Sequence, residues 1–139
     1  MKSIICVLFL LICLGSKAQV DAKLSSVEVS DETAQLIRND IAKMTAELNS
    51  SKDKAKIHKD RGMKYLAINE FDNAVADYTK LIESSAKDAA HGYFFRGLSK
   101  KLSGKFYAIS ACDDMKRAKE LGYDSDSTNW EGILQMCGF

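Results

Sequence analysis

The chain lacks an excess of charge of either sign: twenty lysines and arginines stand against nineteen acids, a net charge of +1. Near-neutrality argues against a general binder of nucleic acid or membrane surface, which needs a basic field. Histidine is scarce, with His58 and His91 alone. There is no HExxH, no glycine-rich phosphate loop and no nucleophile elbow, so nothing points to catalysis and no enzyme is expected. A zinc site from His58, His91, Cys112 and Cys137 fails on spacing, because no pair among them has ligand spacing. Neither metal nor cofactor is expected. Asp113-Asp114 reads as a solvated helix surface, since only one of two adjacent helical residues can face a given site. Strand-like alternation is missing throughout, which leaves an all-α fold.

Long apolar runs are lacking too, with one exception. Ile4 to Leu14 is unbroken, it follows Met1-Lys2, and Ser16-Lys17-Ala18 places small residues where a signal peptidase inspects them. The run is too short to span a membrane, so residues 1–18 read as a secretory signal cut between Ala18 and Gln19. Bacterial lipidation at Cys6 or Cys13 would need a small residue just before the cysteine, where Ile5 and Ile12 stand. The expected product is an exported protein, periplasmic or extracellular, with no stable membrane insertion. Lys2 and Lys17 leave with the signal, so 18 basic side chains face 19 acidic ones in the mature chain. Charge is uneven along it: Arg96 to Lys119 is basic, and Glu120 to the end carries four acids and no base. Solvated helix faces of opposite sign account for this, and a site for an acidic partner is the alternative.

Cys6 and Cys13 are also lost, leaving Cys112 and Cys137. An even count in an oxidising compartment favours one disulfide, against the alternative of two buried free thiols. Closing a loop of this length stabilises by about 3–4 kcal/mol on the chain-entropy model.

Residues 19–30 are polar and aperiodic and read as a flexible leader, so 31–139 form one helical domain. Ser30-Asp31 offers an N-cap to a helix carrying Ala34, Ile37, Ile41, Met44 and Leu48 on one stripe. Asn49-Ser50-Ser51 breaks it and can cap a second helix, about 52–68. Phe71, Ala74, Val75, Tyr78, Leu81 and Ile82 then mark the cleanest amphipathic helix. A fourth helix near 89–102 follows, with Asp88 as its cap, and a fifth near 105–121, with Gly122 at the left-handed C-cap position. Thr128 and Glu131 form a capping box before a last helix carrying Trp130, Ile133, Leu134 and Cys137.

An echo runs through the middle of the chain. Arg61-Gly62 and Arg96-Gly97 recur 35 residues apart. Phe71, Ala74, Asp77, Tyr78 and Leu81 follow the first pair; Phe106, Ala111, Asp114, Met115 and Ala118 follow the second. A period of this length is the mark of helical-hairpin repeats, whose units bury their apolar faces only against neighbours. Residues 55–122 resemble the tetratricopeptide repeat family. Gly62 with Tyr65, and Tyr93 with Gly97, match its first-helix signature; Phe71, Ala74 and Tyr78, then Ala111, Met115 and Ala118, match its second. Gly62 and Ala74, like Gly97 and Ala111, would let helix backbones approach closely. The chain departs from the pattern in having no proline, with Ala86 where one usually stops the second helix. His58 replaces a bulky apolar residue and Lys100 a tyrosine, and the spacing from Ala74 to Ala111 implies two extra residues near 104–109.

The resemblance implies a short α-solenoid of two hairpins, about 55–88 and 90–122. The helix before them and the one after act as caps, with Trp130 in the core. It also implies a groove lined by the first helix of each pair: Lys56, Lys59, Met63 and Leu66, then His91, Phe94, Leu98 and Lys101. Members that grip a peptide's terminal carboxylate use asparagine where Met63 and Leu98 stand, so that mode is not expected. The expected function is a non-catalytic adaptor that binds a protein or peptide partner in the groove. The alternative is a structural subunit that stacks on itself or caps a larger array.

Overall fold

The computed structural model describes residues 29–104, 108–123 and 130–137, and in them the chain is helical without a strand. The signal segment, most of the leader, Phe106 and Thr128 of the expected capping box lie outside the described residues. Six α-helices are described: α1 (Asp31–Glu47), α2 (Lys54–Ala67), α3 (Phe71–Ser84), α4 (Ala89–Leu102), α5 (Ala108–Glu120) and α6 (Trp130–Met136), with a 3-10 turn at Ala86–Asp88.

The caps explain most boundaries. The Ser30 hydroxyl accepts from the Thr33 N–H at 3.3 Å, and Asp31 and Glu32 complement the dipole of the first turn. The next helix starts two residues later than the serines at 50–51 imply. Asp53 caps it, accepting from the Lys56 N–H at 3.0 Å. Its end is set by Asn69, held at φ +59°, with Glu70 N–H bonded to the Tyr65 carbonyl and Asn69 N–H to that of Leu66. This is a Schellman closure with asparagine in the left-handed position usually given to glycine. Gly122, at φ +78°, ends α5 in the same way: Tyr123 N–H reaches the Ala118 carbonyl and Gly122 N–H that of Lys119. Asp88 stands at the N-cap of α4, but its carboxylate makes no cap bond there. It accepts instead from the Ser85 hydroxyl at 2.6 Å. No proline is needed to stop α3, because Ser85 turns extended and the 3-10 turn follows.

Neighbours in sequence are neighbours in space: α2 packs on α3, α3 on α4 and α4 on α5, while α1 touches α2 more lightly and α6 touches α5 least. The central core is Ala74, Tyr78 and Leu81, all fully buried on α3, with Ala55, Tyr65 and Leu66 of α2 on one side and Phe95 of α4 on the other. The stripe on α1 makes a second cluster, Ala34 and Ile41 against Ile68. Two of the helical glycines show how close approach is used. A Cβ on Gly97 would lie 2.8 Å from the Ala111 carbonyl oxygen, so α4 and α5 meet there backbone to backbone. At Gly62 the nearest neighbour of an added Cβ is the Tyr78 ring, at 3.0 Å. The small residue on α2 therefore seats an aromatic ring, whereas the one on α4 admits a backbone.

Candidate functional site

The 35-residue echo has a chemical core that composition alone did not reveal. Arg61 donates from Nε to Asp77 Oδ2 at 2.7 Å and from Nη2 to Oδ1 at 2.6 Å, a bidentate pair, and from Nη1 to the Thr45 hydroxyl of α1 at 2.9 Å. Arg96 repeats the arrangement on Asp114, at 2.8 and 2.6 Å, and reaches the Thr79 hydroxyl of α3 at 3.3 Å. Each threonine in turn donates to a carbonyl of its own helix, Ile41 or Val75. Each arginine thus joins the helix before it to the helix after it.

Two of the departures from the repeat pattern, His58 and Lys100, fall on these clamps. In the first, His58 three residues before the arginine bonds Asp77 Oδ1 at 2.9 Å, and Tyr65 four residues after it lies under the guanidinium at 5.9 Å. A carboxylate only accepts, so the imidazole proton is on Nδ1. In the second the roles are exchanged. Tyr93, three before, lies under Arg96 at 5.2 Å, and Lys100, four after, donates to Asp114 Oδ2 at 2.7 Å. Positions −3 and +4 share a helix face with the residue between them, so either can supply the third donor and the other the aromatic plate. The aspartates hold both guanidinium pKa values above their ordinary level, against the opposing effect of burial.

Asp114 therefore corrects the reading of Asp113-Asp114 as a solvated pair. Asp113 is exposed, but Asp114 is buried and holds three donors, because helical geometry turns it inward toward α4 while its neighbour faces out. Arg96 and Lys100 are likewise committed to it rather than to solvent.

The residues expected to line a groove sit on the opposite side of α2 from this chemistry: at 3.6 residues per turn, Arg61 and Met63 point roughly 200° apart. Met63 is 43% exposed, a large apolar side chain left open. Lys56 is exposed and paired with Asp60 of its own helix. Lys59 is half-buried and reaches across to Asp88 at the head of α4, Nζ to Oδ1 3.6 Å. Leu66 turns partly inward, against the central core. On α4, Leu98 and Lys101 are half-buried. His91 and Phe94 belong to an aromatic cluster with Phe95 and Tyr123: His91 to Phe95 is 4.4 Å between centroids, and Phe94 stacks on Tyr123 at 4.3 Å. Trp130 meets Phe94 edge-on at 5.7 Å. The structure brings Lys59 to the start of α4, beside His91, and leaves Met63 open. It places Phe94 beneath the C-terminal residues.

Tyr123 is the member that the sequence reading missed. The signal was its place one residue after Gly122, where a Schellman closure directs an apolar side chain back over the last turn.

Burial brings the His91 pKa down to about 4, helped by the nearby Lys59 charge and opposed by Asp88; Tyr78, Phe95 and Tyr123 are its ring neighbours. The unfolded chain binds a proton at His91 below pH 6.5 and the folded chain does so only near pH 4. Stability is therefore full above that window and falls as pH falls through it, by about 1–2 kcal/mol after discounting for the ring's partial exposure. His91→Phe removes this part of the slope; urea midpoints of both proteins at pH 7 and pH 4.5 check it.

Cys112 of α5 and Cys137, just past α6, form a disulfide with Cα atoms 5.5 Å apart, within the usual range. Among the described residues no three of His, Cys, Asp and Glu converge as a metal ion would require. No described helix is long and apolar enough to cross a membrane. A shallow recess of about 350 Å³ at the turn between α2 and α3 is lined by Asn69 to Asn73 and Ser103, none of them an expected groove residue. The chain matches no protein-family model, no curated protein and no solved structure.

Proposed function

We propose that the protein is an exported, non-catalytic adaptor of tetratricopeptide-like build, with α2–α3 and α4–α5 as two hairpins of a short solenoid and the α2/α4 face as its docking groove. The observation that carries this reading is Met63: it is exposed and apolar, on the face of α2 turned away from the buried clamp, and its neighbour Lys59 reaches the head of α4. An open apolar position with a lysine beside it suits an amphipathic or weakly acidic segment. The disulfide and the absence of a membrane-crossing helix among the described residues are compatible with export.

The test is capture of a partner from the native medium or envelope by the folded wild-type protein and by a Met63→Glu, Leu98→Glu variant. An exposed anion at 63 and a half-buried one at 98 on the groove face should cut capture at least tenfold with the helical content kept. Undiminished capture would remove the groove from this account.

One observation favours self-stacking as a second reading. Thr45 of α1 serves Arg61 as Thr79 of α3 serves Arg96, so α1 takes the place of a second helix with no first helix before it among the described residues, and Leu36 on it is 62% exposed. Light scattering over a concentration series distinguishes the readings: a mass that stays monomeric at high concentration removes the second.

A further inference from the structure

Phe94 lies on the α4 side of the docking face, yet its ring is covered from inside the molecule. Tyr123 stacks on it with planes only 15° apart, and Trp130 closes its edge. Tyr123 also meets His91 at 6.0 Å. Trp130 opens α6, a helix of seven residues that touches α5 only lightly. A helix so short does not hold itself together in water. Besides its light contact with α5, it has an attachment at each end: the aromatic contacts of Trp130, and the bond from Cys137 back to Cys112. Ring contacts of this kind each shift an equilibrium only about two- to twelvefold. The covalent tether multiplies them by keeping the segment at high local concentration. The rest of the fold does not lean on the segment, because the buried core and both clamps lie between Ala34 and Ala118.

We propose that α6, seated on Phe94 through Trp130, is an internal occupant of the α4 face, latched by the Cys112–Cys137 disulfide and released by a dithiol reductant. This regulation rests on the α2/α4 face being the docking groove. In the exchange a reductant thiolate attacks one sulfur of the bond and frees the other cysteine as a thiol. The reductant's second thiol then displaces the mixed disulfide. The reductant leaves oxidised as its own disulfide, and Cys112 and Cys137 together take up two electrons and two protons. The helix also describes what competes for its place: it offers the Trp130 ring next to the carboxylate of Glu131, and it carries no base. A partner with an aromatic side chain beside carboxylates has the same chemistry.

The experiment compares the full mature chain oxidised, reduced with dithiothreitol, and as Cys137→Ser. It follows the emission of Trp130, the sole tryptophan, amide hydrogen exchange by region, and the His91 ring titration. Expected in both opened forms are a red-shifted emission, exchange in α6 at least tenfold faster, and a His91 midpoint that climbs from about 4 toward the ordinary 6.5, with α2, α3 and α4 as protected as before. Unchanged emission and unchanged α6 protection would overturn the latch, making the bond a brace for a segment that stays docked without it. Loss of protection in all helices together would overturn it as well, because the bond would then hold the fold. These readings need no partner. Release of the segment with no capture of any partner in either redox state would sink the docking groove and leave the release itself standing.

Discussion

Asp114→Ala is expected to destabilise the protein by about 3–5 kcal/mol, the largest loss from any single polar substitution in the chain. Asp114 is almost fully buried and accepts from Arg96 twice and from Lys100 once. Removing it leaves two half-buried cations without their carboxylate, Arg96 keeping the Thr79 hydroxyl and the Tyr93 ring. Asp77→Ala in the other clamp should cost less, because it strands a guanidinium and an imidazole rather than a guanidinium and an ammonium. Denaturant midpoints followed by far-UV circular dichroism give both values. Losses below about 1 kcal/mol in both variants would mean that the clamps are surface ion pairs in energetic terms, of the kind that contribute little.

Gly97→Ala carries the second large effect. In an open helix the change would stabilise by nearly 1 kcal/mol through helix propensity. Here the new methyl would sit 2.8 Å from the Ala111 carbonyl oxygen and 3.0 Å from Met115 Cγ. A backbone oxygen cannot rotate away, so α4 and α5 must separate, and the net loss is about 2 kcal/mol. Gly92→Ala makes the control. Its methyl would come 2.7 Å from Ile82 Cγ1, a side-chain carbon rather than a backbone oxygen, but one that a β-branched residue in a helix moves only at a cost, so the net loss should be about 1 kcal/mol, smaller than at Gly97. Thermal unfolding of the two variants side by side checks the order; equal losses would show that backbone contact at Gly97 has no special weight.

The helices were legible in the sequence because their signals are local. Ser30, Asn69-Glu70 and Gly122 mark ends within one turn of themselves, and the stripe on α3 follows from spacing alone. Partners across helices were not legible in the same way. His58 and Lys100 looked like defects in a repeat, since neither is what a packed apolar position wants; only the fold shows that each donates to an aspartate 19 or 14 residues on. Asp114 looked like surface because charge is usually exposed and a sequence does not say which of two adjacent acids turns inward. Gly62 was read as a place of close approach, and the atoms nearest an added Cβ there are those of the Tyr78 ring, whose placement depends on a rotamer rather than on spacing. The groove positions came from the resemblance, which has no knowledge of this chain's own C-terminal segment. That Tyr123 and Trp130 rest on Phe94 is a fact of tertiary structure.

Site-specific photocrosslinking tests the central claim, that the α2/α4 face docks a partner, most directly. A photoreactive residue is placed at Met63 on that face and, as a control, at Ala76, which is exposed on α3. The protein is then irradiated in its native compartment. The account predicts a discrete adduct from position 63 that is missing from position 76 and fades when Leu98→Glu is added. The same adducts from both positions, or none from either, would contradict it.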